Sequence, residues 1–345
     1  AVNSNLGFTY GNPVITKMQD GRWVVVFTSG YNNGNDARKL SDGTLKANNP
    51  KGDGRGYLFV RDAYTGNEVR TLTTGEGTAI APSGLSRISA YAEQMFENNT
   101  AVNLYGGDLN GNVWRFNINT GVVTKIATLS IGSEAQRITT QPELGKIDKN
   151  MVLMIGTGKF LEPADLTNTP VNSVYVIKDG GQTSPISRAQ SNILTPVTLS
   201  SDRKVSSSKT PDFETGYGWF VDFPAGERVN LDPLLLNGVL LVPTLVPTSQ
   251  ACSGAGYGWF NYFDYKKGTS LLASGIVSER MTTPAVGYNI VYDNKGVPHV
   301  VVTGSNDPTP QQLSMDDQVF GLSGSGTTTE VFKQKTNGSY GTKQS

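Results

Sequence analysis

The sequence is poor in cysteine, net charge and long apolar runs. One cysteine among 345 residues, Cys252, excludes an intrachain disulfide, a multi-cysteine metal site and a Cys-x-x-Cys redox centre. Lys and Arg number 29 together, as do Asp and Glu, so the whole molecule lacks the positive field that attracts nucleic acid. No apolar run approaches the roughly eighteen residues of a membrane-spanning helix. We therefore expect no nucleic-acid partner and no membrane span.

Histidine is equally scarce, which limits the possible catalytic chemistry. A Ser-His-Asp hydrolase would have to use His299, yet no Gly-x-Ser-x-Gly elbow leads into a helix. The glycine-rich segment Gly52–Gly56 is not followed by a helix start or a Lys-Ser/Thr pair, so a hairpin loop is favoured over a phosphate site. We expect His299 to be a polar residue at the start of a strand. We also expect the chain to contain no catalytic residue and the protein not to be an enzyme.

What the sequence does contain is turn residues, with 40 glycines and 17 prolines. The segment Tyr105–Gly121, YGGDLNGNVWRFNINTG, predicts a β-hairpin. Asn110 and Gly111 form a dipeptide that tolerates the positive φ values of a two-residue turn. Trp114 lies on the return strand, where we expect it to pack in the core.

Asp108 precedes this turn, and two roles are open for it. It can accept backbone N–H groups and so hold the hairpin. With Asn110 and Asn112, it can instead offer oxygens at alternate positions to a hard cation. The first role is favoured.

Internal repeats indicate a propeller-like fold. The segment Gly56–Gly66, GYLFVRDAYTG, has the same aromatic strand and D/N-x-x-T-G turn about fifty residues before the hairpin. The tetrapeptide YGWF occurs at 217–220 and again at 257–260. Proline, which suits a first, edge-like strand position, precedes a strand at Pro13, Pro142 and Pro284.

Short β-branched segments between turns predict strands. They are Trp23–Thr28, Tyr57–Arg61, Val69–Leu72, Asn103–Gly106, Asn112–Ile118, Met151–Gly156, Ser173–Ile177, Trp219–Phe223, Gly238–Pro243, Gly258–Tyr265 and Pro298–Thr303. Helical turns are predicted at Pro163–Leu166 and, as an alternative to a strand, at Ser86–Glu97. We therefore predict an all-β fold.

Two polar segments, Asn32–Gly54 and Gln182–Pro211, are predicted to be long surface loops or insertions. The tail 321–345 is expected to be partly disordered, with one last strand around Val331 and Phe332. The repeats favour a single domain over 1–345. Because the sequence starts at Ala1 with neither a methionine nor a signal segment, we expect an excised fragment of a longer protein.

Several blocks, in a fixed order, resemble the C-terminal β-propeller of the PilC/PilY family. The blocks are Gly11–Asn33, Tyr105–Gly121, Thr139–Gly145, Gly156–Leu166, Ser173–Asp179 and Tyr217–Val229. The resemblance implies a modified seven-bladed β-propeller with long loop insertions.

The same resemblance implies a function in type IV pilus (fimbrium) biogenesis. It implies a non-enzymatic assembly and anti-retraction factor and tip-associated adhesin that acts with minor pilins, and so a part in twitching motility, cell adhesion and virulence. A host-cell surface ligand is a further implied partner. The implied location is the cell surface or pilus tip, either outer membrane-associated or extracellular.

Many members of the family carry an EF-hand-like calcium loop immediately before the motif that matches Tyr105–Asp108. Here the matching segment contains Glu97, Asn98, Asn99 and Asn103, and no aspartate. Neutral amide oxygens hold calcium poorly. We therefore expect this loop to be degenerate and the protein to need no metal or other cofactor there.

Two alternatives remain open. A quinoprotein dehydrogenase propeller is suggested by the turn Asp62–Gly66, but Arg70 and Lys125 stand where its repeat normally ends with tryptophan. Its vicinal cysteine pair is also impossible with Cys252 alone. A generic carbohydrate-binding propeller is the other alternative.

Overall fold

The computed structural model describes residues 4–34, 52–93, 95–190, 193–248, 256–305 and 309–320. Their Cα positions group into two compact units. The first contains the described residues of Ala1–Pro142 with Gly181–Ser187, and the second those of Glu143–Gly180 with Arg188–Val331. Cys252, most of the predicted loop Asn32–Gly54, and the tail 321–345 lie outside the described residues, so the predictions made for them stay predictions.

The described part of the first unit is built almost entirely from strands. In chain order they are β1 (Val14–Lys17), β2 (Trp23–Thr28), β3 (Tyr57–Asp62), β4 (Glu68–Thr73), β5 (Ile88–Ala92), β6 (Ala101–Gly107), β7 (Asn112–Asn117), β8 (Val123–Thr128), β9 (Ser130–Ile131) and β10 (Glu134–Ala135). One short helix, α1 (Met95–Asn98), precedes β6.

The second unit continues the series. Its strands are β11 (Glu143–Ile147), β12 (Asn150–Gly156), β13 (Ser173–Asp179), β14 (Thr195–Leu199), β15 (Val205–Ser206), β16 (Gly218–Asp222), β17 (Arg228–Val229), β18 (Leu234–Leu236), β19 (Val239–Pro247), β20 (Gly256–Asp264), β21 (Ser278–Met281), β22 (Ala285–Tyr292), β23 (Pro298–Gly304) and β24 (Gln311–Gln312). A 3-10 helix, Pro163–Leu166, lies between β12 and β13, and α2 (Met315–Phe320) follows β24.

Two four-stranded antiparallel sheets, in the orders β1-β2-β3-β4 and β5-β6-β7-β8, make up most of the first unit. Within each sheet every strand pairs with the next along the chain. Connections of eight residues or fewer join these pairs, except that 28 residues separate β2 from β3. Such a meander is the arrangement of a propeller blade. Strands β9 and β10 form a separate small hairpin.

The second unit holds three sheets among the described residues. The first has the order β11-β12-β13-β16-β14-β15, and β14 runs parallel to β16 within it. The second has the order β17-β19-β20-β21, with β18 also paired to β19. The third has the order β22-β23-β24.

The described residues of the first unit form one buried hydrophobic cluster, and those of the second unit form two. Burial alternates along β2, where Val24 and Val26 point inward, as the two-residue period of a strand requires. In the second unit Trp219 is fully buried, and its ring centroid lies 6.0 Å from that of Phe263. The indole N–H of Trp219 donates to the Tyr265 carbonyl at 3.0 Å, so this large side chain is buried without an unpaired donor.

The predicted strands are confirmed to within a few residues at each end. The three prolines also lie where the sequence indicates: Pro13, Pro142 and Pro284 immediately precede β1, β11 and β22. Each of these strands is an edge strand of its sheet. An edge strand tolerates a neighbouring residue that has no N–H to donate.

The D/N-x-x-T-G turns share the same side-chain hydrogen bonds. Asp62 accepts the N–H groups of Tyr64 and Thr65, and Asn117 accepts those of Asn119 and Thr120. A further copy, Asp212–Gly216, uses the same bonds, and the sequence prediction had not included it. The D/N-x-x-T-G pattern is therefore a side-chain-stabilised turn that the fold reuses.

Two predictions need correction. The segment Ser86–Glu97 is neither all helix nor all strand, since it contains β5 followed by the start of α1. The segment Gln182–Pro211 is an insertion between β13 and β16, but it is not all loop, because β14 and β15 lie in it. Val197 of β14 is buried against the core, and this long-range pairing is what orders so polar a segment.

The all-β class is confirmed. Among the described residues, the helices have only four, four and six residues. No helix in this part of the chain has the length and apolar character that crossing a membrane needs. The number of seven blades stays a prediction.

Candidate functional site

Residues 108–111 form the four-residue turn of the hairpin between β6 and β7. The Gly111 N–H donates to the Asp108 carbonyl at 3.2 Å, and the Asp108 N–H donates to the Asn112 carbonyl at 3.0 Å. These bonds close the turn and continue into the ladder of the two strands. The predicted hairpin is thus present, with a turn two residues longer than expected.

The conformation of Asn110 explains the longer turn. Gly111 has a φ of 76°, whereas Asn110 lies outside the left-handed region. The prediction that both residues adopt positive φ is therefore wrong. The Asn110 N–H donates to the Asp108 carboxylate at 2.9 Å, and such an Asx turn needs no left-handed residue at Asn110.

The Asp108 side chain is fully buried, with 0% of its surface exposed. Its Oδ1 accepts the N–H groups of Asn110 and Asn112, both at 2.9 Å. Its Oδ2 accepts Asn112 Nδ2 at 3.0 Å and the Trp114 indole N–H at 2.9 Å. Burial raises the pKa of the Asp108 carboxyl, while these donors favour its ionised form.

This geometry decides between the two roles that the sequence leaves open for Asp108. A cation would need lone pairs directed at it, but both carboxylate oxygens already accept N–H groups. Asn112 turns its amide nitrogen, a donor, toward Asp108. The donor set therefore fits a turn-stabilising carboxylate and does not fit a metal ligand.

Trp114 connects this turn to the core of the first unit. Its side chain is 4% exposed and packs with Leu104 and Phe116. The Lys125 ammonium lies 5.1 Å from its ring centroid, within the range of a cation–π contact. The sequence predicts this burial from strand position, but the indole bond to Asp108 becomes visible only in the structure.

The segment that matches the family's calcium loop forms a joint between β1 and β6. The Asn99 carbonyl accepts the Lys17 N–H at 3.0 Å and the Thr16 hydroxyl at 2.8 Å. Asn98 Oδ1 accepts the Thr100 hydroxyl at 3.0 Å. These oxygens are therefore engaged in bonds within the protein.

The rest of that segment offers calcium little more. Glu97 is exposed, and Asn103 lies in β6 opposite Asn117. Asn99 Oδ1 is buried with no hydrogen-bond partner. One neutral oxygen is far from the six to eight oxygen ligands that calcium takes. The residues present do not fit the ion.

His299 lies on β23 among polar side chains. Its Nδ1 is 2.8 Å from Gln312 Nε2 and 3.6 Å from Asp317 Oδ1, and its Nε2 is 3.8 Å from Asp293 Oδ2. These partners lie on β24, on α2 and in the turn before β23. The ring thus links three neighbouring segments at the start of a strand.

A buried ionic cluster in the second unit was missed by sequence reasoning. Arg203 donates to both carboxylate oxygens of Glu227 at 2.9 Å, to Asn261 Oδ1 at 2.8 Å and to Ser278 Oγ at 3.0 Å. Its guanidinium carbon lies 4.2 Å from the Trp259 ring centroid. Arg203 is in the predicted loop insertion, and its partners are 24, 58 and 75 positions away, so no local pattern could identify them.

A second buried carboxylate attaches α2 to the sheets. Asp316 Oδ1 accepts the Tyr262 hydroxyl at 2.9 Å, and its Oδ2 accepts the Val300 N–H at 2.6 Å. Burial raises the pKa of Asp316 to about 6. Like Asp108, the Asp316 side chain accepts hydrogen bonds from other residues of the protein.

Comparison with known proteins identifies relatives along most of the chain. Residues 1–130 match the family model of the PilY1 beta-propeller domain. The type IV pilus biogenesis factor PilY1 homolog of Xylella fastidiosa is 24% identical over 321 residues, covering 83% of this chain and 20% of that protein. PilY1 of Pseudomonas aeruginosa strain PAK is 24% identical over 314 residues, covering 74% of this chain and 25% of that protein.

The chain therefore spans about a fifth to a quarter of the length of the curated relatives it matches. The crystal structure of the Pseudomonas aeruginosa PilY1 C-terminal domain superposes with a TM-score of 0.66 at 21% identity, over 89% of this chain and 74% of that one. This likeness supports the β-propeller fold. The resemblance to the C-terminal β-propeller domain of the PilC/PilY family is thereby confirmed.

Proposed function

We propose that this chain is a non-enzymatic module of a type IV pilus biogenesis factor. It promotes pilus assembly, opposes retraction and acts as a tip-associated adhesin together with minor pilins. The observation that carries the proposal is the similarity, over 83% of the chain, to a protein named as a type IV pilus biogenesis factor. That similarity runs through both compact units.

The geometry supports a binding function. The polar side chains that the sequence singles out, Asp108 above all, have their hydrogen-bonding capacity used inside the fold. They build rigid sheets and turns, and a rigid scaffold of this kind presents its loops for recognition. The site of action in this proposal is the pilus tip or cell surface, where a host-cell surface ligand is a second partner.

Binding of purified minor pilins tests the partner. The 345-residue chain and the full-length protein that contains it are immobilised separately, and retention of each minor pilin is measured. We expect both to retain at least one minor pilin. If neither protein retains a minor pilin, the proposal is contradicted. If only the full-length protein retains one, the binding site lies outside this chain.

Pilus counts in cells distinguish assembly from opposition to retraction. Deleting the gene for the full-length protein is expected to reduce surface pili. If the protein opposes retraction, blocking retraction in the deletion strain restores pili. If assembly itself requires the protein, pili stay absent when retraction is blocked.

Two measurements address the alternatives from other functional classes. Quinone absorbance after reconstitution would favour a dehydrogenase propeller. Saturable binding on a glycan array, without minor-pilin binding, would favour a carbohydrate-binding propeller. We expect neither result.

A further inference from the structure

The turn that follows β20, residues 264–268, repeats the backbone of the D/N-x-x-T-G turns. Asp264 Oδ1 accepts the N–H groups of Lys266 at 2.9 Å and Lys267 at 3.1 Å. The Gly268 N–H donates to the Asp264 carbonyl at 2.7 Å. The sequence of this copy is DYKKG, so Lys267 takes the place of the threonine.

That replacement is not explained by the turn itself. In two other copies the threonine side chain stabilises the turn, because the Thr65 hydroxyl donates to Asp62 and the Thr215 hydroxyl donates to Asp212. In this copy only the backbone N–H of Lys267 bonds to the aspartate. The lysine side chain is therefore available for another role.

The turn is held firmly against the core of the second unit. The Trp219 indole N–H donates to the Tyr265 carbonyl at 3.0 Å. Gly268 has a φ of 68°, which favours glycine, and a Cβ atom built on it would lie 2.7 Å from the Trp219 ring. Core packing therefore fixes the backbone that carries Lys267.

Lys267 and Thr269 line one part of a small cavity, and residues 207–211 line the rest. Its volume is about 170 Å³. At about 30 Å³ for each water molecule, this space holds about five or six waters. A cavity of that size admits a small ion or one group of a small molecule, and it is too small for a folded partner.

The segment 207–211 is ordered by its own hydrogen bonds. The Ser207 hydroxyl donates to the Lys209 carbonyl at 2.7 Å. Just before it, Ser206 of β15 pairs with Thr198 of β14. Just after it, the Phe213 carbonyl accepts the Lys178 ammonium at 2.7 Å. Both walls of the cavity are thus held in place within the second unit.

The lining is positively charged and rich in hydroxyl groups. Among the described residues it contains two lysines, Lys209 and Lys267, and no acidic residue. Within the same part of the chain, the Lys267 ammonium has no ion-pair partner, and the hydroxyls of Ser208, Thr210 and Thr269 have no hydrogen-bond partner. These groups can all donate to a bound acceptor.

We propose that this two-lysine cavity binds a tetrahedral oxyanion, phosphate or sulfate, either free or as the terminal group of a small molecule. Such an ion offers oxygen acceptors in several directions, and lysine binds phosphate as a point charge. A largely apolar ligand is a poorer match, because Pro211 is the one apolar residue among those that line the cavity. The proposal goes beyond the pilus function and does not depend on it.

Two carboxylates adjoin the lining segments along the chain. Asp264 accepts the N–H groups of its own turn, and Asp212 accepts those of Glu214 and Thr215. Their negative charge reduces the attraction for an anion, and the lysines are exposed to solvent. We therefore expect millimolar affinity that falls as the salt concentration rises.

The test is titration of the 345-residue chain with inorganic phosphate at low ionic strength, followed by phosphorus NMR line broadening. Lys267→Thr restores the usual threonine of the turn, so it removes the charge while the turn is retained. Lys266→Thr removes the same charge from the neighbouring residue, which does not line the cavity. We expect Lys267→Thr to weaken binding about tenfold or more, as for loss of one charged hydrogen bond. Lys266→Thr should change it by about twofold or less.

Lys209→Gln tests the other wall, and we expect the same loss as for Lys267→Thr. It also decides the question if circular dichroism shows that Lys267→Thr does not fold. Sulfate added as a competitor should displace phosphate, whereas acetate, a planar monoanion, should displace it far less.

Several results would overturn the proposal. Absence of saturable phosphate binding to the parent chain is one. Equal losses in Lys266→Thr and Lys267→Thr would show a general effect of surface charge, and unchanged binding in both Lys209→Gln and Lys267→Thr would place the ion elsewhere. Displacement by acetate as effective as that by sulfate would exclude selection of a tetrahedral ion. None of these measurements involves a minor pilin, so each leaves the proposed pilus function standing.

Discussion

At the scale of single residues, Asp108 shows how one buried carboxylate can organise both a turn and a core side chain. Its two oxygens accept two backbone N–H groups, the Asn112 amide and the Trp114 indole. The free-energy cost of burying this charge is offset because each oxygen receives two donors. The turn and the core of the first unit are therefore energetically coupled.

Truncation of Trp114 tests that coupling. We expect Trp114→Ala to lower the free energy of unfolding by about 3 to 5 kcal/mol, because it opens a cavity and removes a donor from Asp108. Urea denaturation followed by far-UV circular dichroism measures the change. Trp114→Phe retains most of the ring volume, so its smaller loss reports the missing indole bond. An unchanged midpoint for Trp114→Ala would refute the core assignment.

Asp316 gives the protein a residue-scale pH response. The pKa of Asp316 is about 6 in the folded state, above its ordinary value of 3.8, because the carboxyl is buried. A folded-state pKa that is raised means that the folded protein binds the proton more tightly than the unfolded chain. The stabilising contribution is therefore complete below the ordinary pKa and is lost as the pH rises through 6.

We accordingly expect Asp316→Asn, which mimics the neutral carboxyl, to be less dependent on pH than the parent chain between pH 4 and 7. The difference in free energy of unfolding between the parent chain and Asp316→Asn should change by up to about 3 kcal/mol between pH 4 and 7. Denaturant titrations at several pH values measure it. Asp317→Asn, next to it on α2 but exposed, is the control. Glu279 and His299 also face Asp316, so parallel pH curves for parent and Asp316→Asn chains would show that they, and not Asp316, set the response.

At the scale of elements, hydrogen bonds within the protein connect the segment before β6 to β1. The Asn99 carbonyl accepts the Thr16 hydroxyl and the Lys17 N–H.

We therefore expect this joint to be independent of calcium. Thermal melts with calcium and with chelator should give the same midpoint, and titration calorimetry should find no micromolar site in this segment. High-affinity loops rely on several anionic oxygens, and this segment supplies mainly neutral ones. A micromolar site abolished by changing Asn98, Asn99 and Asn103 would contradict the prediction. Asn294→Ser, at an exposed turn of the second unit, controls for nonspecific effects.

At the scale of the whole molecule, the prediction of a single domain over 1–345 stays open to measurement. The described residues form two compact units, and each has its own core. Sequence repeats favour one propeller, and blades of one propeller are expected to unfold together.

We expect a single cooperative unfolding transition. Trp23 and Trp114 belong to the first unit, and Trp219 and Trp259 to the second. Variants in which both tryptophans of one unit are replaced by phenylalanine therefore report on the other unit alone. Their fluorescence midpoints should coincide, and the calorimetric and van't Hoff enthalpies should agree. Two separate transitions would show that the units are independent domains. A crystal structure of the chain would also determine the number of propeller blades.

Local patterns in the sequence were sufficient to predict many of the strands and turns, although short strands such as β17 and β24 are not among them. Strand β2 is predicted to the residue, because β-branched alternation is a local property. The D/N-x-x-T-G turns are local too, since Asp62 and Asn117 bond to N–H groups two or three positions ahead. The site residue Asp108 was found for the same reason.

Contacts between distant residues, by contrast, were decided only by the tertiary structure. Arg203 reaches Ser278 across 75 positions, and Arg228 reaches Lys159 across 69, so no spacing rule indicates either. Strand β14 forms in a polar insertion because β16 offers it a parallel edge. Local sequence determines backbone preference, whereas burial of a charge depends on which partners the completed fold brings within bonding distance.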